Sequence, residues 1–141
     1  METEIAAVFT AMPTELVLLG WSAVLALVML TIHILTTTPD LGLETAVKPR
    51  DGNPQPSGIL AGRAKRAWVN FNETYAIFVG LTLALVVSGQ TGGLGLLGAQ
   101  IWLIARVVYA PVYYFGIPWL RTLVFLASIV GLILMVAALL T

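Results

Sequence analysis

The sequence predicts an all-α integral membrane protein in which four transmembrane helices form one bundle. The chain of 141 residues is 59% hydrophobic and only 10% charged, and its mean hydropathy is +0.96. Soluble domains carry about 25% charged residues. Four apolar runs each have about the twenty residues that cross a bilayer. No stretch has the composition of a soluble domain, so residues 1–141 are expected to form a single transmembrane domain.

Charge and cysteine content exclude several classes of function. The formal net charge is zero, which gives no support for a nucleic-acid partner. The chain has no cysteine, which excludes disulfides, thiolate metal sites and a cysteine nucleophile, and no metal is expected. The N-terminal stretch METEIAAVFTAMPTE is acidic and lacks the basic region of a signal peptide. The first apolar run is therefore expected to be a retained helix.

The first span is predicted at residues 14–35, over the run ELVLLGWSAVLALVMLTIHIL. Thr14, directly behind Pro13, is the expected N-cap residue. His33 lies near the end of this span and is interpreted as an interfacial histidine with no assigned role.

Residues 36–62 are predicted to form the only long loop. Prolines at positions 39, 49, 54 and 56, with glycines at positions 42, 52 and 58, are expected to prevent a continuous helix. The piece LGLETAV is expected to form a short interfacial turn. A loop of this length in so small a bundle is typical of a lid over a site or of a mobile linker.

The other spans are predicted at residues 65–88, 94–114 and 119–140. The link GQTGG is short, so the second and third spans are expected to be antiparallel neighbours. Pro111 lies within the third span, where it is expected to kink the helix or to leave the carbonyl of Val107 with another partner. Pro118 follows the turn FGIP and suits the first turn of the fourth helix.

The distribution of basic residues predicts the orientation in the membrane. The first loop and the start of the second span together carry five basic residues, whereas the GQTGG link carries none and the N-terminus carries only acids. By the positive-inside rule, the long loop and the FGIP turn are expected in the cytoplasm, with both termini outside. The basic residues are Lys48, Arg50, Arg63, Lys65 and Arg66.

Polar residues of three spans are expected to converge in the cytoplasmic half of the bundle. Two sets have helical spacing that places each set on one stripe of a helix, and Arg121 lies in the first turn of the fourth span. Because the outer half is almost entirely apolar, this distribution favours a cavity open to the cytoplasm over a transmembrane conduit, and disfavours a transporter. The two sets are Arg66, Asn70 and Glu73, and Arg106, Tyr109 and Tyr113.

Each of these polar residues also has a purely structural explanation. Glu73 and Arg106 lie at matched depth and are expected to pair, within one bundle or across a subunit boundary. Asn70 can hold helices together by hydrogen bonding. Arg63 and Lys65 are interpreted as anchors at the lipid headgroups, and Tyr114 and Trp119 as residues of the interfacial aromatic belt.

The charges of such a site favour a small anion. Three arginines face one carboxylate, which suits a ligand with carboxylates and an ammonium group, while the membrane supplies an apolar second substrate. An arginine beside a bound thiol stabilises the thiolate by about 1.5–3 kcal/mol, which lowers the thiol pKa by about 1 to 2. From a free thiol pKa of about 8.5, a shift of this size makes the thiolate a major species at neutral pH.

Two motifs follow each other along the second and third spans, and an arginine lies at the start of the fourth span. The motifs are Arg66-Ala67-x-x-Asn70-x-x-Glu73-Thr74 and Ala105-Arg106-x-x-Tyr109-x-x-x-Tyr113. In this order they resemble the MAPEG family, the membrane-associated proteins in eicosanoid and glutathione metabolism. The resemblance covers all four spans, and the stretch ARVVYAPVYYFGIPWLRTLVF resembles the bacterial branch.

The resemblance implies a left-handed bundle assembled as a homotrimer in the bacterial inner membrane, with glutathione bound as co-substrate between subunits on the cytoplasmic side. It implies a detoxifying enzyme similar to the microsomal glutathione transferases, either a transferase or a peroxidase, whose second substrate is lipophilic. By the same resemblance, Arg121 stabilises the thiolate with Tyr109 as the second catalytic residue. The implied glutathione-binding residues are Arg66, Asn70, Glu73, Arg106 and Tyr113.

A second reading of the same motifs is a non-catalytic member of the fold that binds a lipid or a partner protein in the groove between subunits. A shared fold does not by itself fix a function. The intact motif of the second span favours the enzyme.

Overall fold

The computed structural model describes residues 1–141, apart from the side chains of residues 8–10. The described chain consists of helices joined by irregular segments and contains no strand. Four helices are long and apolar enough to cross a membrane, so the protein is an integral membrane protein with the predicted four spans. The helices are α1 (Glu2–Ala11), α2 (Thr14–Leu41), α3 (Leu43–Val47), α4 (Ile59–Val87), α5 (Gly93–Phe115) and α6 (Pro118–Leu140).

Helices α4 and α5 form the centre of the bundle. Each of them packs against the other and against both α2 and α6, and the interface between α5 and α6 is the most extensive. Among the described residues, α2 and α6 do not contact each other, so they lie on opposite sides of the central pair. The central position of α4 and α5 brings the polar residues that were predicted on these two helices close to each other.

An aromatic cluster fills the interface between α4 and α5. Trp102 of α5 is fully buried and stacks on Phe78 of α4, with 3.9 Å between ring centroids and 8° between ring planes. Phe71 and Tyr75 of α4 also contact Trp102, at centroid distances of 5.8 and 6.0 Å. Stacked rings of this kind stabilise a core beyond the area that they bury. They fix the relative rotation of α4 and α5, and with it the direction of the polar stripes.

Helices α5 and α6 cross at a pair of glycines. A Cβ atom added at Gly131 would lie 2.6 Å from the Gly98 carbonyl oxygen and 2.8 Å from the Trp102 backbone nitrogen. Any larger residue would push the two backbones apart. Small residues that allow such close approach are typical of helix crossings in membranes.

Two polar contacts fasten the ends of the helices. Glu15 at the start of α2 is 1% exposed and accepts a hydrogen bond of 2.5 Å from the backbone N–H of Gly92, which precedes α5. At the other end of α5, Arg63 Nη1 donates to the Tyr114 carbonyl oxygen at 3.1 Å. Arg63, which was expected to be a headgroup anchor, thus binds a carbonyl at the C-terminus of α5, where cations are stabilising.

The prediction that residues 36–62 form a loop is wrong at both ends. Helix α2 continues through Pro39 and ends at Leu41, because a proline in the last turn removes only one hydrogen-bond donor. Helix α4 begins at Ile59, since the Asp40 carboxylate accepts a hydrogen bond of 2.9 Å from the N–H of Gly58, its N-cap. Between them, α3 is a single short helical turn within the predicted LGLETAV piece, and residues 48–58 form the remaining link. Its location at the membrane interface stays a prediction.

Three smaller details concern helix ends and prolines. Thr14 is the first residue of α2 rather than its N-cap, which is Pro13, and no side chain caps this end. Helix α1 was not predicted, because its short, acidic sequence lacks the length of a span. Pro118 begins α6 as predicted, and α5 runs without interruption through Pro111. A kink at Pro111 stays a prediction.

Candidate functional site

Two polar cavities lie side by side and share Asn70. The first, called here the α4 cavity, has a volume of about 400 Å³ and is lined by Gln55, Pro56, Gly62, Lys65, Arg66, Val69, Asn70 and Glu73. The second, called here the α5–α6 cavity, has a volume of about 280 Å³ and is lined by Asn70, Tyr109, Tyr113, Arg121, Thr122 and Phe125.

The α4 cavity brings together the whole predicted stripe of α4. Arg66 and Glu73 are exposed at the surface of the single chain, and Asn70 is partly buried between them. Asn70 Nδ2 donates a hydrogen bond of 3.1 Å to Glu73 Oε2. The cavity therefore offers a cation at one end and an oriented carboxylate at the other, as expected for a ligand with both kinds of charge.

Arg106 lies beneath the two cavities and does not line either of them. It is 1% exposed, and its two terminal nitrogens donate to Asn70 Oδ1 at 2.8 Å and to Thr74 Oγ1 at 2.6 Å. Its guanidinium also lies 5.2–5.9 Å from the ring centroids of Trp102, Tyr109 and Phe125. These contacts stabilise a buried cation. They also fix the amide of Asn70 so that its nitrogen points to Glu73.

Within one chain, the predicted direct pairing of Glu73 with Arg106 is wrong. Asn70 stands between the two residues, accepting from Arg106 and donating to Glu73. The reason is helical rotation, since Asn70 and Thr74 are four residues apart on the side of α4 that faces α5, whereas Glu73 is turned outward. Pairing across a subunit boundary stays a prediction.

The α5–α6 cavity joins the second predicted stripe to Arg121. The Arg121 guanidinium lies 5.0 Å from the centroid of the Tyr113 ring, and Tyr113 is 5.5 Å from Tyr109. Both tyrosines are buried, and Arg121 is partly buried. Tyr113 thus holds Arg121 at the mouth of the cavity, and α6 opens there with the positive end of its helix dipole.

Arg66 and Arg121 share one property that Arg106 lacks. Among the described residues, neither guanidinium has a hydrogen-bond acceptor or an ion-pair partner; the only salt bridge there joins Lys48 to Glu44. Two free cations therefore lie on either side of Asn70. A ligand that carries negative charge at two places is the natural complement of this arrangement.

Sequence reasoning missed several residues of the site. Lys65, expected to be an anchor, lines the α4 cavity and donates to Gln55 Oε1 at 2.7 Å. Thr74 is part of the quoted motif but was given no role, although it lies four residues after Asn70 on the same helix and accepts a hydrogen bond from Arg106. No sequence pattern indicated that Gln55 belongs to the site, because its position depends on the path of a loop. Phe125 and Thr122 line the α5–α6 cavity from α6, where only Arg121 was predicted to belong to the site.

His33 does not line any of these cavities. Its Nδ1 atom is 3.0 Å from the Thr37 hydroxyl, one turn further along α2. Among the described residues, no group of three or more histidine, aspartate or glutamate side chains is placed to hold a metal ion.

A third cavity is purely apolar. It has a volume of about 420 Å³, lies between α2 and α5 and is lined by Trp21, Val24, Leu25, Val28, Leu103, Ile104, Val107 and Val108. Several of these side chains are exposed on the single chain, Trp21 by 61%. In a membrane this surface is in contact with lipid or with another apolar molecule.

Comparison with known proteins gives one match. The model of the MAPEG family matches residues 18–141, which include most of α2, the whole of α4, α5 and α6, and every residue of the two polar cavities. No curated protein matches the chain. No solved structure matches it either.

Proposed function

Since the chain belongs to the MAPEG family, we propose that it is a membrane-bound glutathione transferase or peroxidase acting on lipophilic electrophiles or lipid hydroperoxides. Family membership supports a membrane function related to glutathione or eicosanoid metabolism. The observation that carries the narrower proposal is the pair of free arginines, Arg66 and Arg121, on either side of an amide that Arg106 holds in place.

Glutathione has the charges that the α4 cavity complements. It carries two carboxylates and one ammonium group, and the cavity presents Arg66 for a carboxylate and Glu73 for the ammonium. Asn70 offers its amide to the peptide backbone, and Arg106 acts through Asn70 as a positioning residue. Charge-assisted hydrogen bonds of this kind are about twice as strong as neutral ones.

Arg121 is the residue proposed to stabilise the thiolate. A thiol placed in the α5–α6 cavity would lie between the Arg121 guanidinium and the hydroxyls of Tyr109 and Tyr113. In the transferase reaction, the thiolate sulfur attacks an electrophilic carbon and the leaving group departs with its electron pair. In the peroxidase reaction, the sulfur attacks a hydroperoxide oxygen, the O–O bond breaks, and the protonated alkoxide leaves as an alcohol. A second glutathione then reduces the sulfenic acid, releasing water and glutathione disulfide.

The exposed face of α4 supports a homotrimer. Six of its residues follow each other at alternating steps of four and three, which is the spacing of a left-handed coiled-coil seam. All six are exposed on the single chain, and a carboxylate in a transmembrane helix is stabilised by a partner or a wet cavity. We call this set the α4 seam: Val69, Glu73, Ala76, Gly80, Leu83 and Val87. The number of three subunits rests on the family.

The proposed location is the bacterial inner membrane, with the site open to the cytoplasm and the termini outside. The support is the five basic residues near the α4 cavity side of the bundle, compared with none in the link between α4 and α5. Glutathione is a cytoplasmic thiol in this reading, so the ligand and the cavity are on the same side.

The alternative is a non-catalytic protein of the same fold that binds a lipid or a partner protein. The apolar cavity between α2 and α5 favours it, because every residue that lines that cavity is hydrophobic. Such a protein would need no thiolate and no free arginine.

Calorimetric titration of the detergent-purified protein with glutathione separates the two functions. The enzyme is expected to bind glutathione and to show the ultraviolet absorbance of a thiolate near neutral pH. Arg66→Ala is expected to weaken binding about tenfold or more, since it removes a charge-assisted contact. Lys48→Met, which removes a loop cation outside both polar cavities, serves as the control. If the wild-type protein does not bind glutathione, the proposed enzymatic function is contradicted and the lipid-binding alternative is favoured.

A further inference from the structure

We infer that Lys65, held by Gln55, binds a terminal carboxylate of the substrate, and that Asp40 is the positioning residue for this contact. The inference rests on the proposed function, because it assigns a residue to one end of a glutathione molecule. It adds to the site two residues, Gln55 of the loop and Lys65, that are neither in the stripe of Arg66, Asn70 and Glu73 nor in the motif of the second span.

The contact begins with the pairing of Lys65 and Gln55. Both residues line the α4 cavity beside Arg66, and Lys65 Nζ donates to Gln55 Oε1 at 2.7 Å. An ammonium group has three donors. One of them binds the amide oxygen of Gln55, so the nitrogen is held in place and two donors remain for a ligand. A carboxylate is the stronger acceptor for such donors.

Gln55 is itself held at both ends of its segment. Its Nε2 atom donates to the Asn53 carbonyl oxygen at 3.2 Å and to Asn53 Oδ1 at 3.0 Å. Two residues further on, the backbone N–H of Ser57 donates to Asp40 Oδ2 at 2.7 Å. The segment therefore forms a fixed wall of the cavity.

Asp40 is the point from which this wall is fixed. Besides Ser57 N–H, its carboxylate accepts from the Gly58 N–H at 2.9 Å and from the Ser57 hydroxyl at 3.3 Å. These donors lie at the N-terminus of α4, where a negative charge is favoured. Since Asp40 lies in the last turn of α2, the extension of that helix beyond Pro39 is what brings the carboxylate to the wall.

The distances along α4 suit a tripeptide. Lys65 precedes Asn70 by five residues, which corresponds to about 7.5 Å of helix rise. An extended tripeptide spans about 10 Å. With its central, thiol-bearing residue near Asn70, a glutathione molecule extends half of that length, about 5 Å, toward Lys65, and the lysine side chain spans the remaining distance.

The experiment uses calorimetric titration of the full-length protein in detergent with three probes. These are glutathione, its ethyl ester at the glycine carboxylate, and the analogue with 4-aminobutyrate in place of the γ-glutamyl residue. Each analogue lacks one of the two carboxylates. Lys65→Met is expected to weaken glutathione binding about tenfold. The same substitution should change the affinity for one of the two analogues, the one that lacks the carboxylate bound by Lys65, by less than about twofold. Gln55→Ala and Asp40→Asn are expected to show the same dependence on the probe with smaller losses.

The controls separate this contact from a general effect. Lys48→Met removes the same charge from the same side of the protein, and is expected to bind all three probes as the wild type does. If Lys65→Met does not yield a monodisperse protein, the exposed loop variant Gln55→Ala carries the test. Equal losses for all three probes, or no loss for any, would overturn the inference. A wild-type protein that does not bind glutathione would instead reject the proposed function, and the inference with it.

Discussion

Three arginines of the site differ in what their guanidinium groups contact, and this difference separates their roles. Arg106 is buried and bound to Asn70, Thr74 and three aromatic rings. Arg66 and Arg121 have no acceptor among the described residues, so their charges are available to a ligand. The same side chain therefore serves to orient a neighbour in one position and to bind an anion in the other two.

Arg66→Ala and Arg121→Ala are expected to fail in different ways. Arg66→Ala removes a contact to a carboxylate, so glutathione affinity falls while turnover at saturation changes less. Arg121→Ala keeps most of the affinity but raises the pKa of the bound thiol, because the charge on sulfur loses its partner. Thiolate absorbance measured against pH, together with kcat and KM, checks both. Normal thiolate formation in Arg121→Ala would show that this arginine has no catalytic role.

Arg106 and Asn70 are expected to be coupled in stability. Arg106→Met leaves the amide of Asn70 and the hydroxyl of Thr74 without a donor, at a cost of about 1–3 kcal/mol. The double variant Arg106→Met with Asn70→Leu should recover part of that loss. Unfolding of the single and double variants in detergent measures the coupling energy, expected at about 0.5–3 kcal/mol. Additive losses would mean that the hydrogen bond contributes nothing to stability.

The same double-variant measurement applied to Arg106→Met and Glu73→Gln tests the contact between subunits. Both residues are hydrogen-bonded to Asn70 within one chain, so some coupling through that amide is expected even in the monomer. A coupling energy that is larger in the oligomer than in the monomer would show that a neighbouring subunit brings a carboxylate to the arginine, and equal coupling energies would contradict this contact.

At the scale of helices, the α5–α6 crossing depends on two glycines. Gly131→Ala places a methyl group against the Gly98 carbonyl and the Trp102 backbone, both of which are rigid. Overpacking of this kind costs about 1–3 kcal/mol. Gly20→Ala is the matched control, because a Cβ atom at Gly20 has nothing within 4 Å in the chain. Thermal unfolding should show a lower midpoint for Gly131→Ala alone, and equal midpoints would contradict a close crossing.

At the scale of the whole molecule, the α4 seam is the surface proposed to hold the subunits together. Gly80 lies on the seam, and a Cβ atom there has nothing within 4 Å inside the chain. Gly80→Leu should therefore leave the subunit folded and still separate the subunits, because the seam helices can no longer approach closely. Gly20→Leu is the control on a different helix. Native mass spectrometry in mild detergent checks the result, and an intact trimer of Gly80→Leu would place the interface elsewhere.

Orientation in the membrane is also a property of the whole molecule. Four spans put both termini on the same side, and the five basic residues predict that the opposite side is cytoplasmic. A reporter that is active only in the cytoplasm should be inactive when fused to Thr141 and active when inserted after Gly52 in the link. The reverse result would place the site on the outer face.

Composition and spacing were sufficient to predict the membrane class, the four spans and the family. A bilayer requires a helix of a certain length and hydropathy, and both can be read from the local sequence. The helical stripe of Arg66, Asn70 and Glu73 was predictable for the same reason, since a fixed number of residues per turn relates spacing to direction. The ends of α2 and α4 were not predictable. Pro39 reads as a helix breaker, and only the contact of Asp40 with Ser57 and Gly58 decides where the helices stop and start.

The sequence by itself determined which residues carry charge on which helical face, and that these faces belong in a membrane. Tertiary structure decided which of them meet. Equal depth suggested Glu73 as the partner of Arg106, but depth does not specify rotation about the helix axis, and the stacking of Phe78 on Trp102 turns Asn70 toward Arg106 instead. Likewise, Lys65 and Gln55 meet only because a loop closes on α4. Such contacts depend on packing between distant segments, which local spacing cannot encode.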